Sequence, residues 1–134
     1  MVVQQLSVVV IEDEYLISLL LNDMLNDLGH TIAGTGRTVA EGLGCLASQA
    51  RPDLAILDIN LNGEYSYPIA RRCVEMELPF FFVTGFAHDG IPRELGDVIV
   101  VDKPYTQHDI AAAIDQTLAT YRGTVRAAQH RLAR

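Results

Sequence analysis

Cysteine is scarce in this chain of 134 residues. Cys45 and Cys73 stand far apart with neither metal-ligand nor redox-motif spacing. A disulfide scaffold and a thiolate metal site are therefore not expected; two buried, reduced thiols in a cytoplasmic protein are. No apolar run approaches the length needed to cross a bilayer. The first apolar run has no basic region ahead of it, so Met1-Val2-Val3-Gln4-Gln5 does not read as a secretory signal. There is no internal repeat, no linker, and no glycine-rich phosphate loop after the first apolar run, which argues against a nucleotide-binding module. Lysine is almost absent: Lys103 stands alone against nine arginines.

What is present suits one soluble globular domain. Hydrophobic residues make up 49% and charged residues 20%. The net charge of −7 is unevenly spread: residues 1–121 hold all 17 acids and six basic residues, whereas residues 122–134 hold Arg122, Arg126, Arg131 and Arg134 and no acid. A body this acidic repels nucleic acid. The basic tail reads as a solvated extension of the last helix.

Five short apolar runs alternate with helical patterns. Leu6–Ile11, Thr31–Gly34, Leu54–Asp58, Pro79–Val83 and Val98–Val101 read as strands. Ile17, Leu20, Leu21, Met24 and Leu28 are spaced for the inward face of a first helix that stops at Gly29. Thr38-Val39-Ala40-Glu41 is a capping box that opens a second helix with Leu43 and Leu46 inward. After the turn Asn62-Gly63-Glu64 a third helix runs to about Met76. Residues 87–97, with Gly90, Pro92 and Gly96, make a weak or short fourth helix of one or two turns. Thr106-Gln107-His108-Asp109 opens the last helix, whose inward stripe is Ile110, Ala113, Ile114, Thr117, Leu118 and Tyr121. This alternation predicts an α/β, flavodoxin-like, doubly wound five-stranded parallel sheet in the order 2-1-3-4-5. The domain is residues 1–121, and no second domain is expected in 122–134.

In such a sheet, ligands and chemistry gather at the carboxyl ends of the strands. The first run ends in Glu12 and Asp13, the third in Asp58, the fourth in Thr84 and the fifth in Lys103. Clustered carboxylates repel unless a cation joins them, and a few hard oxygen ligands suit Mg²⁺. A carboxylate is also a nucleophile toward phosphorus. Phosphoryl transfer onto it needs its oxygens neutralised, which Mg²⁺, the Lys103 ammonium and the Thr84 hydroxyl can supply. The plainer role for Lys103 is to pair with Asp58 and hold the loops together.

Val10-Ile11-Glu12-Asp13-Glu14, Leu57-Asp58-Ile59-Asn60-Leu61, Val83-Thr84-Gly85 and Asp102-Lys103-Pro104-Tyr105 together resemble the response-regulator receiver domain of two-component signalling, over about residues 6–121. The resemblance implies Asp58 as phosphoacceptor and Asp13 as a direct Mg²⁺ ligand. Glu12 would hold the ion through water, with the Asn60 backbone carbonyl as a further ligand. Thr84 and Lys103 would contact the phosphoryl group. It implies a histidine kinase as donor, autophosphorylation and autodephosphorylation rather than turnover of a separate substrate, and either a downstream protein partner or a phosphate-sink role, with no nucleic acid and no membrane.

The sequence departs from the common receiver pattern. Leu61-Asn62 stand where Met-Pro is usual, and Val100 stands where an aromatic residue usually rotates inward. Phe82-Val83-Thr84-Gly85-Phe86 looks instead like the FATGUY subgroup of single-domain receivers, associated with kinases of the HWE type. The expected switch is then Thr84, Gly85 and Phe86, with residues 84–97 and the last strand and helix as the responding surface. Two rivals are a pseudo-receiver that binds protein without taking phosphate and, more remotely, a haloacid-dehalogenase-type phosphatase. The latter usually carries a second Asp two residues after its nucleophile, where this chain has Asn60.

Overall fold

The computed structural model describes residues 4–48, 50–86 and 90–132, the last eleven of these as helical backbone alone. In chain order the elements are β1 (Ser7–Ile11), α1 (Tyr15–Asp27), β2 (Thr31–Gly36), α2 (Val39–Leu46), β3 (Leu54–Asp58), β4 (Asn60–Leu61), β5 (Glu64–Tyr65), α3 (Tyr67–Glu75), β6 (Phe80–Thr84), a single 3₁₀ turn (Arg93–Leu95), β7 (Val100–Asp102) and α4 (Gln107–Leu132). Five strands form one parallel sheet in the order β2-β1-β3-β6-β7. This is the expected 2-1-3-4-5 order once β4 and β5, which pair only with each other, are set aside. The fold is α/β and flavodoxin-like.

The alternation of side chains along each strand builds two cores from one sheet. Val9, Ile11, Ala55, Leu57 and Phe82 face α2 and α3, where Leu46, Ile69, Ala70 and Cys73 meet them. Val8, Val10, Leu54, Ile56, Phe81 and Val83 face α1 and α4, where Leu21, Leu25, Ile110, Ala113 and Ile114 close the layer. Both faces are covered, so the central strands are apolar throughout, and each buried Leu, Ile or Phe contributes about 1.5–3 kcal/mol. Gly42 on α2 allows the close approach of α3: a Cβ there would lie 2.4 Å from Ile69 Cδ1.

The helix ends follow their sequence signals. The Thr38 hydroxyl accepts the Glu41 N–H, and Thr106 and Asp109 cap each other reciprocally. Gly29, at φ +91°, ends α1 in the left-handed region. The helix α4 continues to Leu132, past Gly123; the side chains of Arg122, Arg126 and Arg131, and all of Arg134, lie outside the described residues. Among the described residues, no helix is long and apolar enough to cross a membrane.

Several sequence expectations are corrected. Leu20 is 58% exposed rather than inward, because Leu21 and Leu25 form the seam and Leu20 lies about 100° around the helix from Leu21. Leu43 is likewise at the surface, since Gly42 and Leu46 define the buried side of α2. Cys73 is buried, and burial pushes its thiol up to about 12, but Cys45 is only half-buried. The last strand begins at Val100, two residues later than expected. Of residues 87–97, expected as a weak fourth helix, 87–89 lie outside the described residues and 90–97 contain a single 3₁₀ turn. Beside it lies a cleft of about 420 Å³, walled by Phe80, Leu95, Val98, Ile99, Thr117 and Tyr121 among others.

His30 joins α1 to β1. Its N–H donates to the Leu25 carbonyl at 2.9 Å, and its Nδ1 accepts the Leu6 N–H at 3.1 Å. Burial holds its pKa below 6.5, against a smaller upward pull from Asp115. With the folded value below the unfolded one, the stabilisation by His30 is present above about pH 6.5 and is lost as pH falls through the folded value. His30→Asn keeps a side-chain acceptor for Leu6 without the titration. Melting curves between pH 7 and 5 are expected to fall more steeply for the parent than for this variant, and equal slopes would show that His30 does not carry the dependence.

Candidate functional site

The ladder register puts the ends of four strands side by side. Ile11 pairs with Leu57, Asp58 with Val83, and Thr84 with Asp102. Glu12 and Asp13 follow β1, Asp58 ends β3, Thr84 ends β6 and Lys103 follows β7. Residues some 45 apart in sequence therefore meet at one carboxyl edge, as the strand-end reading requires.

Lys103 occupies the centre. Its Nζ lies 2.6 Å from Glu12 Oε1 and 2.7 Å from Asp58 Oδ2, while its N–H donates to the Thr84 carbonyl at 2.8 Å. The Lys103–Pro104 peptide bond is cis. Glu12 and Asp58 are buried and Asp13 is half-buried. Carboxylate oxygens of the three lie within 4.8 Å of one another. Such crowding raises the free energy of the charged forms. Burial foremost, then the nearness of Asp58, pushes Glu12 up to about 8, although Lys103 pulls the other way. Burial disfavours the Lys103 ammonium, but the hydrogen bonds and charges of Asp58 and Glu12 outweigh it and raise its pKa above the ordinary lysine value. Burial and the adjacent Glu12 charge push the Tyr105 phenol, packed beneath, up to about 12.

The loops around this centre are held by main-chain groups. Asn60 N–H donates to Asp58 Oδ1 at 3.2 Å, and Asn60 Oδ1 accepts the Gly63 N–H at 2.7 Å, which closes the β4–β5 hairpin. Asn62 N–H donates to Asp13 Oδ2 at 2.9 Å. Asn62 itself sits at φ +54°, a conformation asparagine tolerates. At the end of the hairpin, Tyr65 stacks on Tyr67 at 5.1 Å, and Tyr67 meets Phe82 edge-on at 6.0 Å.

The three carboxylates are hard oxygen donors with an excess of negative charge, a set that fits a divalent cation such as Mg²⁺. The expected residues Glu12, Asp13, Asp58 and Lys103 are brought together. Thr84 is buried beside them, but its hydroxyl accepts the Phe86 N–H at 3.1 Å. Phe86 is 72% exposed. Sequence reasoning missed Arg37, whose Nε and Nη2 donate to the Asp13 carbonyl at 3.3 and 3.1 Å. The available signal was its place at the carboxyl end of β2, where the strand-end rule also applies.

No family model matches the chain. Among solved structures, SdrG from Sphingomonas melonis Fr1 is 36% identical, with 88% of this chain and 99% of that one covered and a TM-score of 0.75. The PhyR response regulator REC domain of Erythrobacter litoralis is 30% identical, with 85% and 90% covered and a TM-score of 0.71. The phyllosphere-induced regulator PhyR of Methylorubrum extorquens is 28% identical over 114 residues, 83% of this chain and 43% of that protein. The chain spans about half the length of the curated relatives it matches.

If the carboxylate cluster holds a divalent cation, Mg²⁺ should shift the amide resonances of residues 12–14 and 58–62. Asp13→Asn should weaken that binding by about tenfold or more. A titration in which parent and variant respond alike would remove Asp13 from the cation site.

Proposed function

Because the chain belongs to the response-regulator receiver (REC) family, we propose that it accepts a phosphoryl group from a histidine kinase onto Asp58, with Mg²⁺ held by Asp13, by Glu12 through water, by Asp58 and by the Asn60 backbone carbonyl. The observation that carries this reading is the 2.7 Å contact between the family's lysine and aspartate inside a three-carboxylate cluster. An Asp58 carboxylate oxygen attacks phosphorus. The new P–O bond forms as the P–N bond of the phosphohistidine breaks, and its electron pair leaves on the imidazole, which keeps a proton. Bound Mg²⁺ supplies neutralising charge at the phosphoryl oxygens. Lys103 moves from Asp58 to a phosphoryl oxygen; burial disfavours its ammonium, but the hydrogen bonds and charges of Asp58 and Glu12 outweigh that and keep it charged for the role. This is self-modification, not turnover of a separate substrate.

Thr84 and its neighbours carry the response in this reading. The Thr84 hydroxyl turns to the phosphoryl group and gives up the Phe86 N–H. Gly85 supplies the backbone freedom, the exposed Phe86 changes place, and residues 85–97 gain order. Of that segment, 87–89 lie outside the described residues. Val100, half-buried where an aromatic switch is usual, supports a route that bypasses it. Together with Phe82-Val83-Thr84-Gly85-Phe86, this favours the FATGUY subgroup and a kinase of the HWE type. The kinase face is the exposed stripe Tyr15, Leu16, Leu19 and Leu20 on α1, which begins two residues after Asp13. The output face is the 3₁₀ turn, β7 and α4, read by a protein partner or left silent in a phosphate sink.

Intact mass after incubation with Mg²⁺ and a small phosphodonor is expected to show one added phosphoryl group in the parent and none in Asp58→Ala. If a phosphorylated histidine kinase also fails to label the parent, the chain is a pseudo-receiver. A second expectation concerns amide exchange at residues 90–97, which should slow on phosphorylation; equal protection in both states would exclude the ordering mechanism.

A further inference from the structure

Beside the carboxylate cluster lies an open cleft of about 470 Å³ lined by Asp13, Glu14, Arg37, Thr38, Glu41 and Asn62. Three separate loops and the first turn of α2 build it: the β1–α1 turn, the β2–α2 turn, the tip of the β4–β5 hairpin and Glu41. Asp13 is common to the cleft and to the cation site. The guanidinium of Arg37 is fixed there by two hydrogen bonds to the Asp13 carbonyl, and the Arg37 N–H donates to Glu41 Oε1 at 3.2 Å. The side chain is exposed to solvent. It is also the one basic residue lining the cleft.

The electrostatics give this arginine a task. Lys103 is committed to Glu12 and Asp58, so the approach to the site is otherwise lined by carboxylates. A phosphodonor arrives as a phosphoryl dianion, which carboxylates repel. A fixed cation at the mouth attracts it, and a planar guanidinium matches the phosphoryl oxygens. Resting on the receiver reading above, we propose that this cleft is the entry subsite for the donor and that Arg37 holds the phosphoryl dianion before transfer to Asp58. The chemistry is shared by acyl phosphates and phosphohistidine. With acetyl phosphate, the P–O bond to Asp58 forms as the P–O bond to the acyl oxygen breaks, and the electron pair leaves on acetate.

Arg37→Gln keeps a donor for the Asp13 carbonyl and removes the charge, whereas Arg37→Lys keeps the charge. The probe for binding is acetonylphosphonate, the unreactive methylene analogue of acetyl phosphate, titrated with Mg²⁺ present and followed by amide shifts. Binding is expected to weaken by about five- to tenfold in Arg37→Gln and less than about twofold in Arg37→Lys. Phosphorylation by dianionic acetyl phosphate should slow by a similar factor in Arg37→Gln. Phosphorylation by phosphoramidate, which also presents a phosphoryl dianion but carries an ammonium beside it, should slow as well, by a smaller factor than with acetyl phosphate. Mg²⁺ affinity should not fall, since a neighbouring positive charge is removed. A loss of Mg²⁺ affinity, or a rate in Arg37→Lys as low as in Arg37→Gln, would assign Arg37 to holding the Asp13 loop and overturn the subsite. Unchanged rates and analogue binding would overturn it as well. A parent labelled by neither donor would overturn the receiver reading itself, and the subsite with it.

Discussion

One ammonium group holds the working edge of this domain together. The side chain of Lys103 starts beyond β7 and reaches past β6 to Asp58 on β3 and Glu12 after β1, so a single cation ties three strands at the end where their polar residues cluster. Without it the carboxylates would face one another in a buried pocket, an arrangement that low-dielectric surroundings penalise heavily. A slender point charge suits the space. A guanidinium is broader and planar, which gives a physical reason why a chain that otherwise uses arginine carries lysine at this position. The cluster still has more negative than positive charge, and that surplus makes it receptive to a divalent cation.

The sequence disclosed the site because the chemistry sits at strand ends and the strands are unmistakable. Runs such as Val8-Val9-Val10-Ile11 and Leu54-Ala55-Ile56-Leu57 are too short for helices and too apolar for anything but a sheet covered on both faces. Each ends abruptly in an acid. Once the strand order is fixed, convergence of Glu12, Asp13 and Asp58 follows from register alone. The capping boxes were legible too, although Glu41 turns its carboxylate to the Arg37 N–H rather than to the cap residue itself.

Other features left a fainter trace. Leucines at 16, 19, 20, 21 and 25 cover more than one helix face, and only tertiary packing decides that Leu21 and Leu25 face the sheet while Leu20 meets solvent. The β4–β5 hairpin has two residues per strand, below the length at which alternation can be read. Arg37 carries no motif at all; its meaning lies in a carbonyl 24 residues away. On the far flank, one 3₁₀ turn stands where a helix would complete the layer, leaving a cleft against α4. Elements with little buried apolar contact lie at the low-stability end of a fold, where movement costs least. Among the described residues, Thr84 and Phe86 thus adjoin the more thinly covered flank.

The stack of Tyr65 on Tyr67 has an optical meaning. The chain contains no tryptophan and only five tyrosines, so its near-ultraviolet absorption and emission belong to tyrosine. Two of those rings lie nearly parallel, 4° apart in plane, at the end of the hairpin that Asn60 begins beside Asp58. Parallel rings at this separation couple their transitions, and the coupling changes with any tilt between them. The domain therefore carries a built-in chromophore pair at its acidic edge, and the circular dichroism of unlabelled protein reports on the loop that borders Asp58.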